Sequence, residues 1–312
     1  MHIDPEIAAF LDPPFPNDMD DLTATRQALQ VLAETEIANR DPLPDGLEWF
    51  DQIVSDEDGR PEVTVRIYRR SDAMSECGAL LFVHGGAFVL GDLESEHARC
   101  VRLASGANCV VVSVDYRLAP EHPYPAALDD VFTSLNWLRR NAAALNVDPT
   151  RIGVGGVSAG GAIAAGVVLK ARDVHGPWLR VQLLVYPVID NATTAKSIDQ
   201  FFTTEPWDGE RTRKIWPMYL KGLEGDVPPY ASVARATDLS RLPTTYLMTA
   251  EGDPLRDEGL HYAQRLLDAG VSVEVHNFLH TYHGFDVVAP GSRLSEAALN
   301  EQVDFLRREL SA

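Results

Sequence analysis

The feature that most constrains this chain is a regular alternation of two patterns from residue 63 to the C-terminus. Short apolar runs, several of them uninterrupted, alternate with longer segments whose apolar residues recur at helical spacing. Uninterrupted apolar runs are typical of strands covered on both faces, and strand–helix alternation favours parallel pairing. The sequence therefore predicts an α/β fold, with a mostly parallel central sheet and helices on both of its faces. The predicted strands are 63–69, 79–84, 109–116, 151–157, 181–187, 244–250 and 271–278.

Two segments depart from this alternation. Residues 1–45 are rich in Asp and Pro and hold one amphipathic helical stretch at 22–38. The segment at about 191–229 interrupts the pattern and contains a predicted helix near 210–220. We therefore expect a main α/β domain over 46–312 that carries an inserted cap segment, preceded by a separate N-terminal segment.

Composition excludes several classes of protein. The chain has 312 residues, of which 45% are hydrophobic, enough for a sizeable core in one large domain. Its formal net charge of −19 argues against a nucleic acid or an anionic membrane as partner. No run approaches 18 consecutive apolar residues, so we expect no membrane span.

The small number of cysteines and the N-terminal residues indicate the cellular compartment in which the protein is located. Cys77, Cys100 and Cys109 show no metal-ligand spacing, and an odd, sparse count favours a reducing environment. The acidic N-terminus has no basic-then-apolar leader. We therefore expect a cytoplasmic protein without a metal, and we expect Cys109 to be a buried thiol.

A serine stands at one predicted strand-to-helix corner. Residues 156–160 read G-V-S-A-G and match G-x-S-x-G in the structural context that this motif requires. At such a corner the serine Oγ projects above the carboxyl end of the sheet, and the helix start offers free N–H groups, including that of Ala159, to a developing oxyanion. The pattern indicates Ser158 as a nucleophile. A tight turn with a capping serine is the alternative.

A second glycine-rich element, H-G-G-A-F at 84–88, follows the strand predicted just before it. Gly85 and Gly86 leave backbone N–H groups uncovered, and Ala87 keeps its own N–H donor. Paired with the N–H of Ala159, this loop predicts an oxyanion hole. On its own, a glycine turn joining a strand to a loop would explain it equally well.

A nucleophilic serine needs a base, and the base needs an orienting acid. In this type of fold their order along the chain is serine, acid, histidine. Two histidines, His280 and His283, fall in the predicted loop after the last strand. His283 is favoured because Gly284 lets the chain turn while the imidazole points inward, but His280 stays open.

The acid is expected after the strand 244–250. Asp253 is the best placed candidate, because it lies in a loop and is followed by Pro254. Asp257 lies in the first turn of the next predicted helix, where a carboxylate is favourable at the helix N-terminus for structural reasons alone.

These motifs occur together with D-Y-R-L-A-P-E-H-P-Y-P-A-A at 115–127, D-P-L-R-D-E-G at 253–259 and H-G-F at 283–285. As a set they resemble the bacterial hormone-sensitive-lipase family of α/β-hydrolase esterases, from about residue 81 to the end of the chain. The resemblance implies an α/β-hydrolase fold, a carboxylesterase activity on short acyl chains without metal or cofactor, and frequent homodimers. It also implies that residues 1–45 form a helical cap over the pocket.

The resemblance assigns roles to residues as well. It implies Ser158 as nucleophile, Asp253 as acid and His283 as base. It places oxyanion donors in the loop that begins at Gly85, chiefly Gly86 and Ala87, together with Ala159. Pocket linings are expected from the glycine loop and the inserted segment, namely Phe88, Ile215 and Trp216, for which packing within the cap is the alternative.

Two positions depart from the family pattern. The third glycine of the loop is Ala87, whose methyl group is expected to narrow the site for bulky groups. The Asp that usually precedes the nucleophile is Val157, which removes a polar side chain beside the corner.

Two other functions compete with a carboxylesterase. An amidase or peptidase would use the same triad, although amines are poorer leaving groups than alcohols. A non-catalytic binding protein, as in the plant gibberellin receptors that resemble the same family, would lack a complete triad. The full set of Ser158, Asp253 and His283 argues against this second alternative.

Overall fold

The computed structural model describes residues 2–12, 14–55, 62–71 and 75–311, and within them eight strands form one sheet. The strands are β1 (Leu47–Val54), β2 (Val63–Arg70), β3 (Cys77–Val83), β4 (Val110–Asp115), β5 (Val147–Val157), β6 (Val181–Val185), β7 (Thr244–Gly252) and β8 (Val273–Tyr282). Their order across the sheet is β1-β2-β4-β3-β5-β6-β7-β8. Strand β2 runs antiparallel to both of its neighbours, and the pairs from β4 to β8 are parallel. The predicted mostly parallel sheet is confirmed.

Helices cover both faces of this sheet. The helices are α1 (Pro5–Ala8), α2 (Leu22–Ala38), α3 (His97–Ala107), α4 (Ala126–Arg140), α5 (Ala159–Asp173), α6 (Lys196–Gln200), α7 (Gly209–Tyr219), α8 (Arg256–Asp268), α9 (Phe285–Val288) and α10 (Arg293–Leu310). Apolar side chains of α3 and α10 join one buried cluster with one face of the strands, and those of α4, α5 and α8 join a second cluster on the other face. The sheet is therefore enclosed on both sides, as its uninterrupted apolar strands predicted.

Strands β1 and β8 differ most from the prediction, whereas the others differ only in where they begin or end. Strand β1 was not predicted, because it is a half-exposed edge strand that mixes Trp and Phe with Glu, Asp and Gln instead of forming an apolar run. Strand β8 continues to Tyr282, past the predicted end at 278, through a register shift against β7. His280 therefore lies within β8, at a backbone φ of 63°, and the expectation of a loop at this position is wrong.

The two segments predicted to stand apart from the α/β pattern meet each other over the carboxyl end of the sheet. Asp20, just before α2, forms an ion pair of 2.6 Å with Lys214 on α7. Arg26 on α2 donates hydrogen bonds to the carbonyls of Val89 and Ala119, at 3.0 Å each. These contacts lie next to the glycine-rich loop.

The N-terminal residues before α2 attach elsewhere. The N–H of Asp4 donates to the carbonyl of His280 at 2.9 Å, and the hydroxyl of Tyr282 donates to the carbonyl of Ile7 at 3.0 Å. Segment 1–45 thus contacts both the cap insertion and the end of β8. The predicted domain limits stay a prediction, and their outermost residues, Met1 and Ala312, lie outside the described residues.

Among the helices of the described residues, none has the length and hydropathy that a membrane crossing requires. All three cysteines are free thiols, and Cys109 is buried as expected.

Candidate active site

Ser158 stands at the sharp turn between β5 and α5. Its backbone has φ 54° and ψ −117°, a left-handed conformation that costs a non-glycine residue free energy. Such strain persists only where the surroundings hold the residue firmly, and it is concentrated at functional sites. The turn brings the serine hydroxyl to the carboxyl end of the sheet, where the motif predicted it.

The glycines on either side of Ser158 are explained by close approaches of backbone. A Cβ atom at Gly156 would lie 2.4 Å from the carbonyl oxygen of Gly160. A Cβ atom at Gly160 would lie 2.2 Å from the carbonyl oxygens of both Val83 and His84. Any side chain at either position would therefore displace α5 from β3 or from β5, and the serine would move with it.

The three residues predicted as a triad form a hydrogen-bonded series with His283 in the middle. Nε2 of His283 is 3.0 Å from Oγ of Ser158, although the two residues are 125 positions apart, and Nδ1 of His283 is 2.7 Å from Oδ2 of Asp253. Asp253 is fully buried, and its Oδ1 accepts the N–H of Leu255 at 2.8 Å. A buried carboxylate on Nδ1 selects the tautomer that leaves Nε2 free to accept the serine proton.

The competing candidates lie apart from this arrangement. The imidazole of His280 is half exposed, and its Nδ1 lies 3.6 Å from a carboxylate oxygen of Glu251. Asp257 accepts the N–H of Ser197 at 3.0 Å and pairs with Arg256 at 2.8 Å, so its carboxylate holds α6, in the predicted cap insertion.

The glycine-rich loop runs beside the serine. Three consecutive residues, Gly86, Ala87 and Phe88, have positive φ values of 118°, 57° and 66°. A Cβ atom at Gly85 would lie 3.7 Å from Cβ of Ser158. The predicted oxyanion donors of this loop, Gly86 and Ala87, thus lie in an irregular turn next to Ser158. The N–H of Ala159, at the first position of α5, has no acceptor within its helix.

The side chain of His84 fixes the conformation of this loop. Its Nδ1 lies 2.7 Å from the carbonyl oxygen of Gly85, and its ring stacks on Tyr116 at 4.2 Å. Burial lowers the pKa of His84 to about 4, so the ring is neutral at neutral pH. Because a carbonyl only accepts, Nδ1 carries the ring proton. His84 is therefore a donor that shapes the loop.

A buried polar network lies next to the ring of His283. The ring of Tyr186 meets that of His283 edge-on at 4.6 Å, and its hydroxyl donates to Asp286 at 2.7 Å. Asp286 pairs with Arg99 at 3.0 Å, and Arg99 pairs with Glu96 at 2.7 Å. Burial raises the pKa of the Tyr186 phenol well above its ordinary value, so Tyr186 stays a donor. The sequence offered one signal for Tyr186, its position at the carboxyl end of a predicted strand.

The predicted pocket residues pack together in one buried group between the glycine-rich loop and α7. Phe88 stacks on Tyr219 at 4.0 Å and lies 5.6 Å from Trp216, and Ile215 is fully buried in the same core. A lining role for Phe88, Ile215 and Trp216 stays a prediction. Trp207, which sequence reasoning missed, lies 6.1 Å from the ring of His283.

One group of side chains has the composition of a metal site. Potential ligand atoms of Glu274, His276 and Glu301 lie within 4.8 Å of one another on β8 and α10. Glu274 already pairs with Arg308 and, at 3.0 Å, with His276. Glu274 therefore already has two partners, and the cluster shares no residue with the predicted triad.

Several proteins that resemble this chain in sequence and in structure are named esterases. The chain is 37% identical to an esterase, LipI, of Mycobacterium tuberculosis over 93% of this chain and 91% of that protein. It is 34% identical to an arylesterase of Saccharolobus solfataricus over 91% of this chain and 93% of the relative. Among solved structures, a bacterial heroin esterase superposes with a TM-score of 0.95 at 39% identity, covering 100% of this chain and 99% of that one.

The model of the α/β-hydrolase fold family matches residues 80–287. The chain therefore belongs to the α/β hydrolases, in their hormone-sensitive-lipase-like branch, and the resemblance carried by its sequence motifs is confirmed.

Proposed function

We propose that this chain hydrolyses short-chain carboxylic esters, with Ser158 as nucleophile, His283 as general base and Asp253 as the orienting acid. The chain is a carboxylic ester hydrolase, because its relatives across nearly its whole length are esterases. The roles of the individual residues rest on one observation: the hydrogen-bonded series from Asp253 through His283 to a strained Ser158.

The geometry supports a two-stage acyl transfer. Oγ of Ser158 attacks the ester carbonyl while its proton passes to Nε2 of His283, and a tetrahedral oxyanion forms. The imidazolium then protonates the departing alkoxide, so that the alcohol leaves and an acyl-serine remains. Water attacks this acyl group with His283 again taking a proton. The proton returns to Oγ of Ser158 as the carboxylic acid is released.

The oxyanion is stabilised by the backbone. We assign the donors to Gly86 and Ala87 in the loop that begins at Gly85, and to Ala159 at the start of α5. Fixed donors aimed at the developing charge are worth about 3–4 kcal/mol each in comparable acyl-transfer sites. No step of this scheme draws on a metal or cofactor.

An ester panel tests the substrate class. We expect 4-nitrophenyl esters of about two to eight carbons to be hydrolysed fastest, because the cap covers the site and leaves Ser158 and His283 each 8% exposed. The matched 4-nitroanilides should be turned over far more slowly. A rate that rises steadily to sixteen carbons, or anilide turnover equal to that of the esters, would contradict the proposal.

The remaining expectations concern the oligomeric state, the partners and the cellular location of the protein. We propose a cytoplasmic homodimer that pairs through β8 and α10 and binds neither nucleic acid nor membranes. Strand β8 is an edge of the sheet, and it exposes the apolar side chains of Val275 and Leu279. An edge strand that exposes apolar side chains favours pairing with another chain. Sedimentation that shows only monomer at micromolar concentration would overturn the dimer.

A further inference from the structure

Glu258, on the first turn of α8, is a buried carboxyl with an unusual set of contacts. It is 5% exposed, and its Oε1 accepts the N–H of Ile189 at 2.6 Å and the N–H of Asp190 at 3.3 Å. Within the described part of the chain its Oε2 has no hydrogen-bond partner. A glutamate is rarely buried without a cationic partner. Both of its contacts go to one loop instead.

That loop, residues 186–190 after β6, holds the nucleophile. The N–H of Val188 donates to the carbonyl oxygen of Ser158 at 3.1 Å. On the other side of the same residue, the N–H of Ser158 donates to the carbonyl of Val185 at 2.9 Å. Both peptide groups of Ser158 are therefore anchored to β6 and the loop that follows it. Because its φ of 54° is unfavourable, this residue depends on such anchors.

The charge state of Glu258 fits an anchoring role next to the base. Burial raises its pKa well above the ordinary value, and the nearby carboxylates of Asp190 and Asp253 raise it further. An uncharged carboxyl still accepts both N–H groups through Oε1. It also avoids placing a second negative charge beside Asp253, the residue that orients His283.

We propose that Glu258 is a positioning residue for the nucleophile. Its two hydrogen bonds fix the loop 186–190, and through Val188 that loop fixes the main chain of Ser158 where Oγ meets Nε2 of His283. This inference rests on the proposed role of Ser158 in ester hydrolysis.

The test compares two side chains of similar size. Glu258→Gln keeps an acceptor at the position of Oε1, whereas Glu258→Met keeps the bulk and removes the acceptor. For each variant we would measure kcat and KM on 4-nitrophenyl butyrate, the rate of Ser158 labelling by a phosphonate ester, and Tm. The control is Gln182→Met near the start of β6, which removes a buried 2.7 Å hydrogen bond to Thr245 and no contact of the loop 186–190.

We expect Glu258→Met to lower kcat and the labelling rate by about tenfold to a hundredfold with little change in KM, since small displacements of a reacting group have costs of this order. Glu258→Gln should recover kcat to within about threefold of the wild type. The control variant should have a lower Tm than the wild type and an unchanged kcat. If Glu258→Met does not fold, Glu258→Asp replaces it, because the shorter side chain withdraws the acceptor and should also lower kcat.

Two results would overturn the inference. One is a Glu258→Met protein whose Tm falls while kcat stays near the wild-type value, since its role would then be structural only. The other is a Glu258→Gln protein as slow as Glu258→Met, since the acceptor would then not be what matters. Failure of the proposed function is a separate result: the wild-type protein itself would neither hydrolyse the ester nor be labelled at Ser158.

Discussion

Oδ2 of Asp253 lies 2.7 Å from Nδ1 of His283, whereas the carboxylate of Asp257, four residues later, accepts the N–H of Ser197 in the cap. The difference follows from where α8 begins. Its first residue is Arg256, so Asp253 stays in the loop at the carboxyl end of β7 while Asp257 is carried away along the helix. Two similar carboxylates therefore have separate partners, His283 for Asp253 and the backbone of Ser197 for Asp257.

Replacing Asp253 should lower the rate of catalysis, whereas replacing Asp257 should lower the stability of the fold. Asp253→Asn should lower kcat at least about a hundredfold with little change in Tm, because the amide no longer selects the tautomer of His283 or stabilises its imidazolium. Asp257→Asn should cost about 0.5–2 kcal/mol of stability and leave kcat close to normal. Steady-state kinetics and thermal melting of both variants check this. An inactive Asp257→Asn beside an active Asp253→Asn would show that the acid is misassigned.

His84 should make the fold sensitive to mild acid. Its folded pKa of about 4 lies below its ordinary value of 6.5. The unfolded chain therefore takes up the proton first, and stability is lost as pH falls from about 6.5 toward 4. Between pH 7 and pH 5 this one group should remove about 2 kcal/mol from the free energy of unfolding.

Urea denaturation at pH 7 and at pH 5 measures this loss, and His84→Asn is the comparison. Asparagine offers an N–H near the position of Nδ1 but does not titrate, so the variant should lose about 2 kcal/mol less than the wild type over the same pH range. Equal losses in the two proteins would mean that His84 is not the group responsible.

The hydroxyl of Tyr186, whose ring contacts that of His283, should contribute to the free energy of unfolding. Tyr186→Phe keeps the ring against His283 and removes the donor to Asp286, which should cost about 1–3 kcal/mol because a buried carboxylate loses a partner. Tyr246→Phe is the matched control, since the buried hydroxyl of Tyr246 has no hydrogen-bond partner within the described residues. Its unfolding free energy should change by less than about 0.5 kcal/mol. Similar losses in both variants would contradict the role of the network.

Much of the fold was predictable because most of its strands can be recognised from their own residues. Strands β3 to β7 are covered on both faces and read as apolar runs, and Ser158 follows one of them at a glycine-flanked corner. Half-exposed β1 gave no such run. The residue at which β8 ends could not be predicted from the sequence either, because it depends on pairing with β7 across a register shift.

The rest of the site could not be read from local pattern. Tyr186 lies at the carboxyl end of a predicted strand, which indicates the correct edge of the sheet but not a contact with His283. Trp207 has no such signal, and both residues are separated from His283 by many positions. Glu258 reads as one more acidic residue in the first turn of a helix, where helix electrostatics already explain it. Only the folded chain brings its carboxyl to the N–H groups of Ile189 and Asp190.

The central claim is that Ser158 is the nucleophile, and kcat of Ser158→Ala on 4-nitrophenyl butyrate tests it most directly. The control is Ser134→Ala, which removes another buried hydroxyl, one that donates to the carbonyl of Asp130 at 2.9 Å. We expect Ser158→Ala to retain its fold and to lose on the order of 10⁴–10⁶ in kcat, while Ser134→Ala stays near the wild-type rate. A folded, pure Ser158→Ala protein that keeps substantial turnover would contradict the account.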